Sequence, residues 1–293
     1  MIVVAPPTVG PYLSAKLRAL DGRLALVVPR VIAATSDEDA VHDLRVALRR
    51  TRTLLEVGRS VFGPFHADEV RAALRHVHRA TGTLRDEEVL LELIASLKID
   101  DPNVQGWLEV RRRRERAVRR ALVRLIEAGE LDRGRRLLEA LLAFRVEPAR
   151  DKRLNKFARR AVARARRRIE RRRGARVDDP TALHELRIAY KRLRYVVEIF
   201  AEALPSPLAA LAQPASRLQS LLGSVHDVDV VLACVKRARS LSHESRRQLL
   251  GALTRLREQH TARYQAEAGL LDRRPEVPLQ ASGTDSLRKT STR

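Results

Sequence analysis

Apolar residues recur along most of this chain at intervals of three and four, the period that lines positions up on one face of an α-helix. Alternating runs rich in β-branched residues, which mark strands, are nearly absent, as are Asn-Gly hairpin signals. Leucine, alanine, arginine and glutamate dominate, and all four are good helix formers. The pattern predicts helices over roughly 12–34, 38–60, 66–98, 103–128, 131–145, 150–173, 180–203, 207–240 and 243–271. Breaks are expected at Gly82 and Gly223, inside the third and eighth of these. Asp37 or Ser36 is placed to cap the second helix, and Asp178, Asp179 and Pro180 mark the start of the seventh. From Asp272 onward the chain turns polar, with Pro275, Pro278, Gly283 and several Ser and Thr, so 272–293 reads as a disordered tail.

One pattern occurs twice. His42-Asp-Leu-Arg45-Val-Ala-Leu-Arg49-Arg50-Thr-Arg52 is matched by His184-Glu-Leu-Arg187-Ile-Ala-Tyr-Lys191-Arg192-Leu-Arg194, about 142 positions later. On a helix, His42, Arg45, Arg49 and Arg52 fall within a sector of roughly 80°. His184, Arg187, Lys191 and Arg194 do the same, with Arg50 and Arg192 to the side. Leu44, Leu48 and Leu55 occupy another face, as do Leu186, Leu193 and Val197, so each helix has a core side and a cationic ridge. Four like charges on one ridge repel unless an anion or nearby carboxylates offset them. A single charge run usually marks a solvated face; a ridge repeated with the same histidine at its head points instead to a multivalent anion.

The duplication extends further. Gly82-Thr-Leu-Arg85-Asp86-Glu-Glu-Val89 corresponds to Gly223-Ser-Val-His226-Asp227-Val-Asp-Val230 at an offset of 141. Arg111–Arg116, with Arg114 and Arg120, opens a basic helix whose counterpart carries Arg255, Arg257 and Arg263. Two pseudo-symmetric four-helix bundles are therefore expected: a first repeat over about 12–128, a connecting helix near 131–145, and a second repeat over about 150–271. Asp86 and Asp227 either hold ridge side chains in place or cap a helix that follows each glycine. In the second case a helix N-terminus beside each glycine also faces the anion.

Charge sharpens the picture. The chain holds 58 Lys+Arg against 36 Asp+Glu, a formal +22, and such an excess calls for a polyanion. Arginine supplies most of it, and its planar fork pairs bidentately with phosphate oxygens. Aromatic residues make up only 3%, too few for a protein that stacks single-stranded bases. A lone cysteine, Cys234, gives neither a disulfide framework nor a thiolate zinc site. With no signal-peptide pattern at Met1-Ile-Val-Val and no ~18-residue uninterrupted apolar run, a cytoplasmic protein without a membrane span is expected.

His-x-x-Arg-[Val/Ile]-x-x-[Arg/Lys]-Arg-x-Arg followed by Gly-x-x-x-Asp-x-x-Val resembles the CHAD domain, the conserved histidine α-helical domain, over residues 10–271. The resemblance implies an all-α fold of two four-helix bundles around a basic central cavity. It further implies non-catalytic binding of inorganic polyphosphate and association with polyphosphate granules. The ligand-lining residues would be His42, Arg45, Arg49 and Arg52 with His184, Arg187, Lys191 and Arg194, flanked by Arg50 and Arg192. Arg85, Asp86, His226, Asp227, Arg114, Arg120, Arg257 and Arg263 would form a supporting set. Lys191 in place of arginine, and His226 opposite Arg85, are the departures between copies. The Glu-x-Glu-x-Lys signature of the triphosphate-processing domain that often accompanies this family is not found, so a stand-alone binding domain is expected; no cofactor or metal is expected either.

Three alternatives accompany this reading. A nonspecific nucleic-acid binder accounts equally well for +22, although no reading motif occurs. Its contacts would be Arg111–Arg120 or Arg159–Arg173, runs that by themselves read as solvated helix faces. A metal-dependent phosphohydrolase built on His226-Asp227 is disfavoured, because neighbouring arginines repel a metal cation. A helical scaffold for acidic proteins is a further reading, in which the ridge arginines would be dispensable. Trp107 and Cys234 read as packing residues, Tyr195 as a core residue, and His76, His78, His243 and His260, which have no copies, as structural or surface residues.

Overall fold

The computed structural model describes residues 8–33, 38–144 and 152–272. They form twelve α-helices and one 3-10 turn, with no strand among the described residues beyond an isolated bridge between Thr8 and Arg153. In chain order these are α1 (Val9–Ala33), α2 (Glu38–Val57), α3 (Arg59–Phe62), α4 (Pro64–Ala73), α5 (Arg75–Ser96) and α6 (Pro102–Glu127). Then come α7 (Glu130–Ala143), α8 (Leu154–Glu170), α9 (Pro180–Ile199), α10 (Ser206–Ala209), α11 (Ala212–Arg237) and α12 (His243–Asp272). The all-α expectation holds. The proposed caps Ser36 and Asp37 and the tail from 273 onward lie outside the described residues.

The helix carrying the second motif starts where its sequence signal lies. Asp179 accepts hydrogen bonds from the Thr181 and Ala182 backbone amides at 2.9 and 3.0 Å, and Pro180 takes the first helical position. Gly129, at φ 78°, turns the chain from α6 into α7 in a left-handed conformation that glycine adopts without steric cost.

The glycine breaks are not observed. Gly82 lies inside α5 and Gly223 inside α11, and both helices run through. The interruptions fall at Leu74, between α4 and α5, and at Ala210-Leu211, ahead of α11. A helical glycine costs only about 1 kcal/mol against alanine. Burial of Leu84 and Leu90 in α5, and of Leu222, Val225 and Val228 in α11, outweighs that. Asp86 and Asp227 are consequently mid-helix residues, not caps, and no helix N-terminus adjoins either glycine.

Packing brings the motif helices to the centre. α1 packs on α2 and α8 on α9, while α5 packs on α6 and α11 on α12. α2, α5, α11 and α9 then close a ring, each touching the next. Leu44, Leu48 and Leu55, with Leu186, Leu193 and Val197, are buried in the main core as their helix face requires. A second core joins the C-terminal halves of α5 and α11 to α6 and α12, and Trp107 is buried in it, with Cys234 packed at its edge. The stretch Ser206–Arg237 is long and apolar enough, by length and composition, to cross a bilayer. Here it lies against α9 and α12 and carries His226, Asp227 and Asp229.

Candidate functional site

Turning the apolar faces of α2 and α9 into the core leaves their ridges on the side where the two helices meet. Arg45 and Arg187 are close enough to feel each other's charge, as are Arg49 and Arg187, and Lys191 feels Arg49, Arg187, Arg45 and Arg194. Burial is the first cause that lowers the pKa of Arg45, Arg49, Arg52 and Arg187, with like charges adding to it. The same two causes bring the Lys191 ammonium down to about 7. Arg49, Arg52, Lys191 and Arg192 then line one cavity of about 480 Å³ together with Arg71 and Arg168, against the single carboxylate of Glu56.

These cations are short of partners. Buried Arg45 Nη1, Arg49 Nε, Arg52 Nε, Arg71 Nε and Arg187 Nε have no protein acceptor. A buried polar group left unpaired costs about 1–3 kcal/mol, so a cluster of them is held at the expense of stability. A polyoxoanion supplies both the missing acceptors and the missing negative charge.

The centre is not devoid of acids. Asp227 feels Arg187, Arg85 and Arg45, and Asp86 feels Arg45, Arg187 and Arg85. Partial burial of each carboxyl nonetheless raises its pKa, and the two aspartates repel each other. Their neighbours are thus the ridge arginines, one of the two roles the sequence left open.

A model of the CHAD domain matches residues 12–236. This chain belongs to the CHAD-domain family. Among solved structures, the chain resembles the crystal structure of the CHAD domain from the plant Ricinus communis. The TM-score is 0.73 at 20% identity, over 94% of this chain and 95% of that one. It also resembles PptA from Streptomyces chartreusis, with a TM-score of 0.64 at 16% identity over 92% and 98% of the two chains. At such identities the likeness concerns the fold. No curated protein is a significant match to the sequence.

The two motif copies of this CHAD domain are not used alike. His42 is exposed and borders a separate cavity of about 490 Å³ with Arg45, Arg85, Arg116 and Arg119, where Asp39, Glu88, Glu92 and Glu115 balance the charge. His184 instead packs on His226, ring against ring at 4.3 Å, with the Nδ1 atoms 3.2 Å apart. Burial, then Arg187, lowers His226 to about 4, and burial with the same arginine lowers His184. Two neutral rings can share one Nδ1 proton, whereas two imidazolium rings could not stay in contact. Arg192 pairs with Glu56, and Arg50 approaches Glu198 at 3.9 Å beside a further cavity. Arg194 donates to Glu198 at 2.7 Å and to Gln219 at 3.2 Å.

Several of the supporting set are committed elsewhere. Arg114 binds the buried Glu87 at 2.7 Å, which also takes Arg111 at 2.5 Å. Arg257 binds Asp229 at 2.5 Å and the Val177 carbonyl at 3.1 Å, and Arg85 pairs with Glu88 and Glu92. Arg120 and Arg263 are exposed and border none of these cavities.

The sequence reading missed three contributors. His78, assigned a structural or surface role for want of a copy, lines the shared cavity and lies 3.0 Å from Arg52 Nη1. Because arginine can only donate, the His78 Nδ1 accepts and its Nε2 carries the proton. Burial, then Arg52, keeps the ring neutral by lowering it to about 4. Its counterpart at an offset of 141 is Gln219, which holds Arg194 as His78 holds Arg52. A search for matching histidines could not find a histidine matched by a glutamine. Tyr195 is buried, as the core reading expected, and in addition borders the same cavity between the Arg49 and Arg194 guanidinium groups, 5.3 and 5.2 Å from its ring, with a buried hydroxyl that has no protein partner. The third is the α8 run. Arg160, Arg164 and Arg168 are exposed, as a solvated face requires, and they also line a concave cavity of about 660 Å³ beside the site.

Proposed function

We propose that this protein binds inorganic polyphosphate, without chemical turnover, in the cavity shared by α2 and α9. The observation that carries the proposal is the convergence of two cationic ridges: Arg49, Arg52 and Lys191 line the cavity, Arg45 and Arg187 lie beside them outside its lining, and the four arginines each hold a buried nitrogen without a protein acceptor. A linear polyphosphate offers many oxygens and roughly one negative charge per internal unit, and it carries no bases. It therefore satisfies arginines and needs few aromatic platforms, which matches the lining. The His78 Nε2 and the Tyr195 hydroxyl would add neutral donors. Family membership supports the same assignment, and a cytoplasmic place at polyphosphate granules is its cellular form.

Binding of long polyphosphate, duplex DNA and orthophosphate at fixed salt tests this, with Arg45, Arg49, Arg187 and Lys191 replaced by glutamine in one variant. A second variant loses Arg112, Arg113, Arg116 and Arg120. The first should weaken polyphosphate binding about a hundredfold or more, as four charge-assisted contacts require, and the second only slightly. Equal losses would reduce the effect to general surface charge, and tighter binding of DNA than of polyphosphate would favour the nucleic-acid reading. Metal-stimulated release of phosphate by the protein would refute the absence of turnover.

A further inference from the structure

The cavity between α2 and α9 holds one side chain whose chemistry anion binding leaves unused. Where the first ridge carries Arg49, the second carries Lys191. A primary amine can lose its proton and form a covalent bond, whereas a guanidinium stays charged. Lys191 lines the cavity and makes no hydrogen bond or ion pair with a carboxylate among the described residues. Glu56, the single acid of the lining, is already engaged by Arg192 and, at 3.5 Å, by Arg71.

The elements around this amine present cations or imidazoles to it. α2 brings Arg45 and Arg49, and α9 brings Arg187, Arg194 and His184. His78 of α5 and His226 of α11 also feel its charge, and Arg168 of α8 shares the cavity lining. The central carboxylates, Asp86 and Asp227, lie against Arg45 and Arg187. Burial, then the surrounding cations, brings the ammonium down to about 7. At pH 8 about nine-tenths of Lys191 is therefore free amine, against less than about 1% of an ordinary exposed lysine. Beside it, Arg45 Nη1, Arg49 Nε and Arg187 Nε are buried N–H groups with no acceptor. A nucleophilic amine among unpaired cationic donors is suited to a small electrophile that becomes an anion on addition.

We propose that Lys191 is a carbamate-forming site that takes up carbon dioxide reversibly. The Nζ lone pair attacks the carbon of CO2, an N–C bond forms as one C=O π bond opens onto oxygen, and the nitrogen releases a proton to solvent. The product is a lysine carbamate carrying one negative charge. Its two carboxylate oxygens supply acceptors to the orphaned guanidinium groups, in charge-assisted hydrogen bonds. Resting on the proposed function, the carbamate stands where a phosphate unit would bind, so carbon dioxide opposes polyphosphate binding. Arginine, the residue of the first copy, forms no such adduct.

The test exposes the full chain to isotopically labelled bicarbonate and dissolved CO2 at pH 8. Carbamates are trapped by alkylation with triethyloxonium ion and located by mass spectrometry of the digest. At sub-saturating CO2, Lys191 should carry the trapped group at least about a hundredfold more often than the exposed Lys98 and Lys236, following their free-amine fractions. Replacing Arg49 and Arg187 by glutamine should lower the Lys191 yield about tenfold, because the ammonium is restored and the carbamate loses donors, with circular dichroism checking the fold. At a bicarbonate level that modifies most of Lys191, long polyphosphate should bind wild type about tenfold more weakly than at the same pH and ionic strength without bicarbonate. Lys191→Arg should bind it equally in both. No adduct on Lys191, or one no more abundant than on Lys98 and Lys236, would overturn the proposal. An equal bicarbonate effect on Lys191→Arg would overturn the link to polyphosphate, leaving only competition by a free anion. A Lys191 adduct in a protein that binds polyphosphate in neither buffer would instead refute the proposed function and uphold the modification.

Discussion

Lys191 is the place where the second ridge departs from arginine, and under the proposed function the departure should make polyphosphate binding depend on pH. Burial and then Arg49, Arg187, Arg45 and Arg194 hold its ammonium at about 7 in the free protein, down from an ordinary 10.5. A polyphosphate chain bound as proposed would bring negative charge to the same cavity and restore the charged form. The sign follows. Above about pH 7 the free lysine is neutral and the bound one charged, so binding takes up a proton and weakens as pH rises. One proton corresponds to about 1.4 kcal/mol, or tenfold, per pH unit, so affinity should fall about tenfold between pH 6 and pH 8. Lys191→Arg keeps its charge throughout; it should match wild type at pH 6 and bind about tenfold more tightly at pH 8. His78 and His226 titrate near 4 in the free protein, so their proton uptake belongs to more acid conditions. Fluorescent polyphosphate titrations at constant ionic strength measure the profile. Calorimetry at pH 8 in two buffers of different ionisation enthalpy should count about 0.9 proton taken up by wild type and not by the variant. Identical pH profiles for the two proteins would refute this account of the ridge.

The same lysine links pH to stability. Its folded pKa lies below its unfolded value, so the charged form burdens the folded state below pH 7, and that burden lifts between about 7 and 10.5. Lys191→Met should therefore raise the ligand-free melting temperature at pH 6 more than at pH 9, while weakening polyphosphate binding at pH 6; thermal melts at both pH values check it. Gly82→Ala and Gly223→Ala should each stabilise the protein by about 0.5–1 kcal/mol in urea unfolding, because an added Cβ meets no atom within 4 Å at either helical position. A loss of stability would mean the helices do break there. Asp179→Ala should cost about 1 kcal/mol by removing the cap of α9, measured by the same unfolding, with polyphosphate affinity of the folded protein unchanged.

Much of this protein was legible in its sequence because helical periodicity is a local property. The ridge of His42, Arg45, Arg49 and Arg52 and its copy at 184–194 follow from 100° per residue. So do the buried faces of Leu44, Leu48 and Leu55 and of Leu186, Leu193 and Val197. The Asp179-Pro180 start of α9 could be read from capping chemistry alone. The glycine breaks were misread because local propensity, worth about 1 kcal/mol, lost to the packing of α5 and α11.

Which helices meet is not a local property. Only the ring of α2, α5, α11 and α9 decides that the ridges face one another, that His184 finds His226 while His42 remains exposed, and that His78 reaches Arg52. Likewise, two runs of arginine that look alike in one dimension part company in three. Glu87, Glu88, Glu109 and Glu115 neutralise the α6 run, whereas Lys156, Arg160, Arg164 and Arg168 line an open cavity with Glu56 as its only acid. Charge is carried by residues and can be counted along a chain; its compensation depends on distances of a few ångströms between residues far apart in that chain, and folding alone sets those distances.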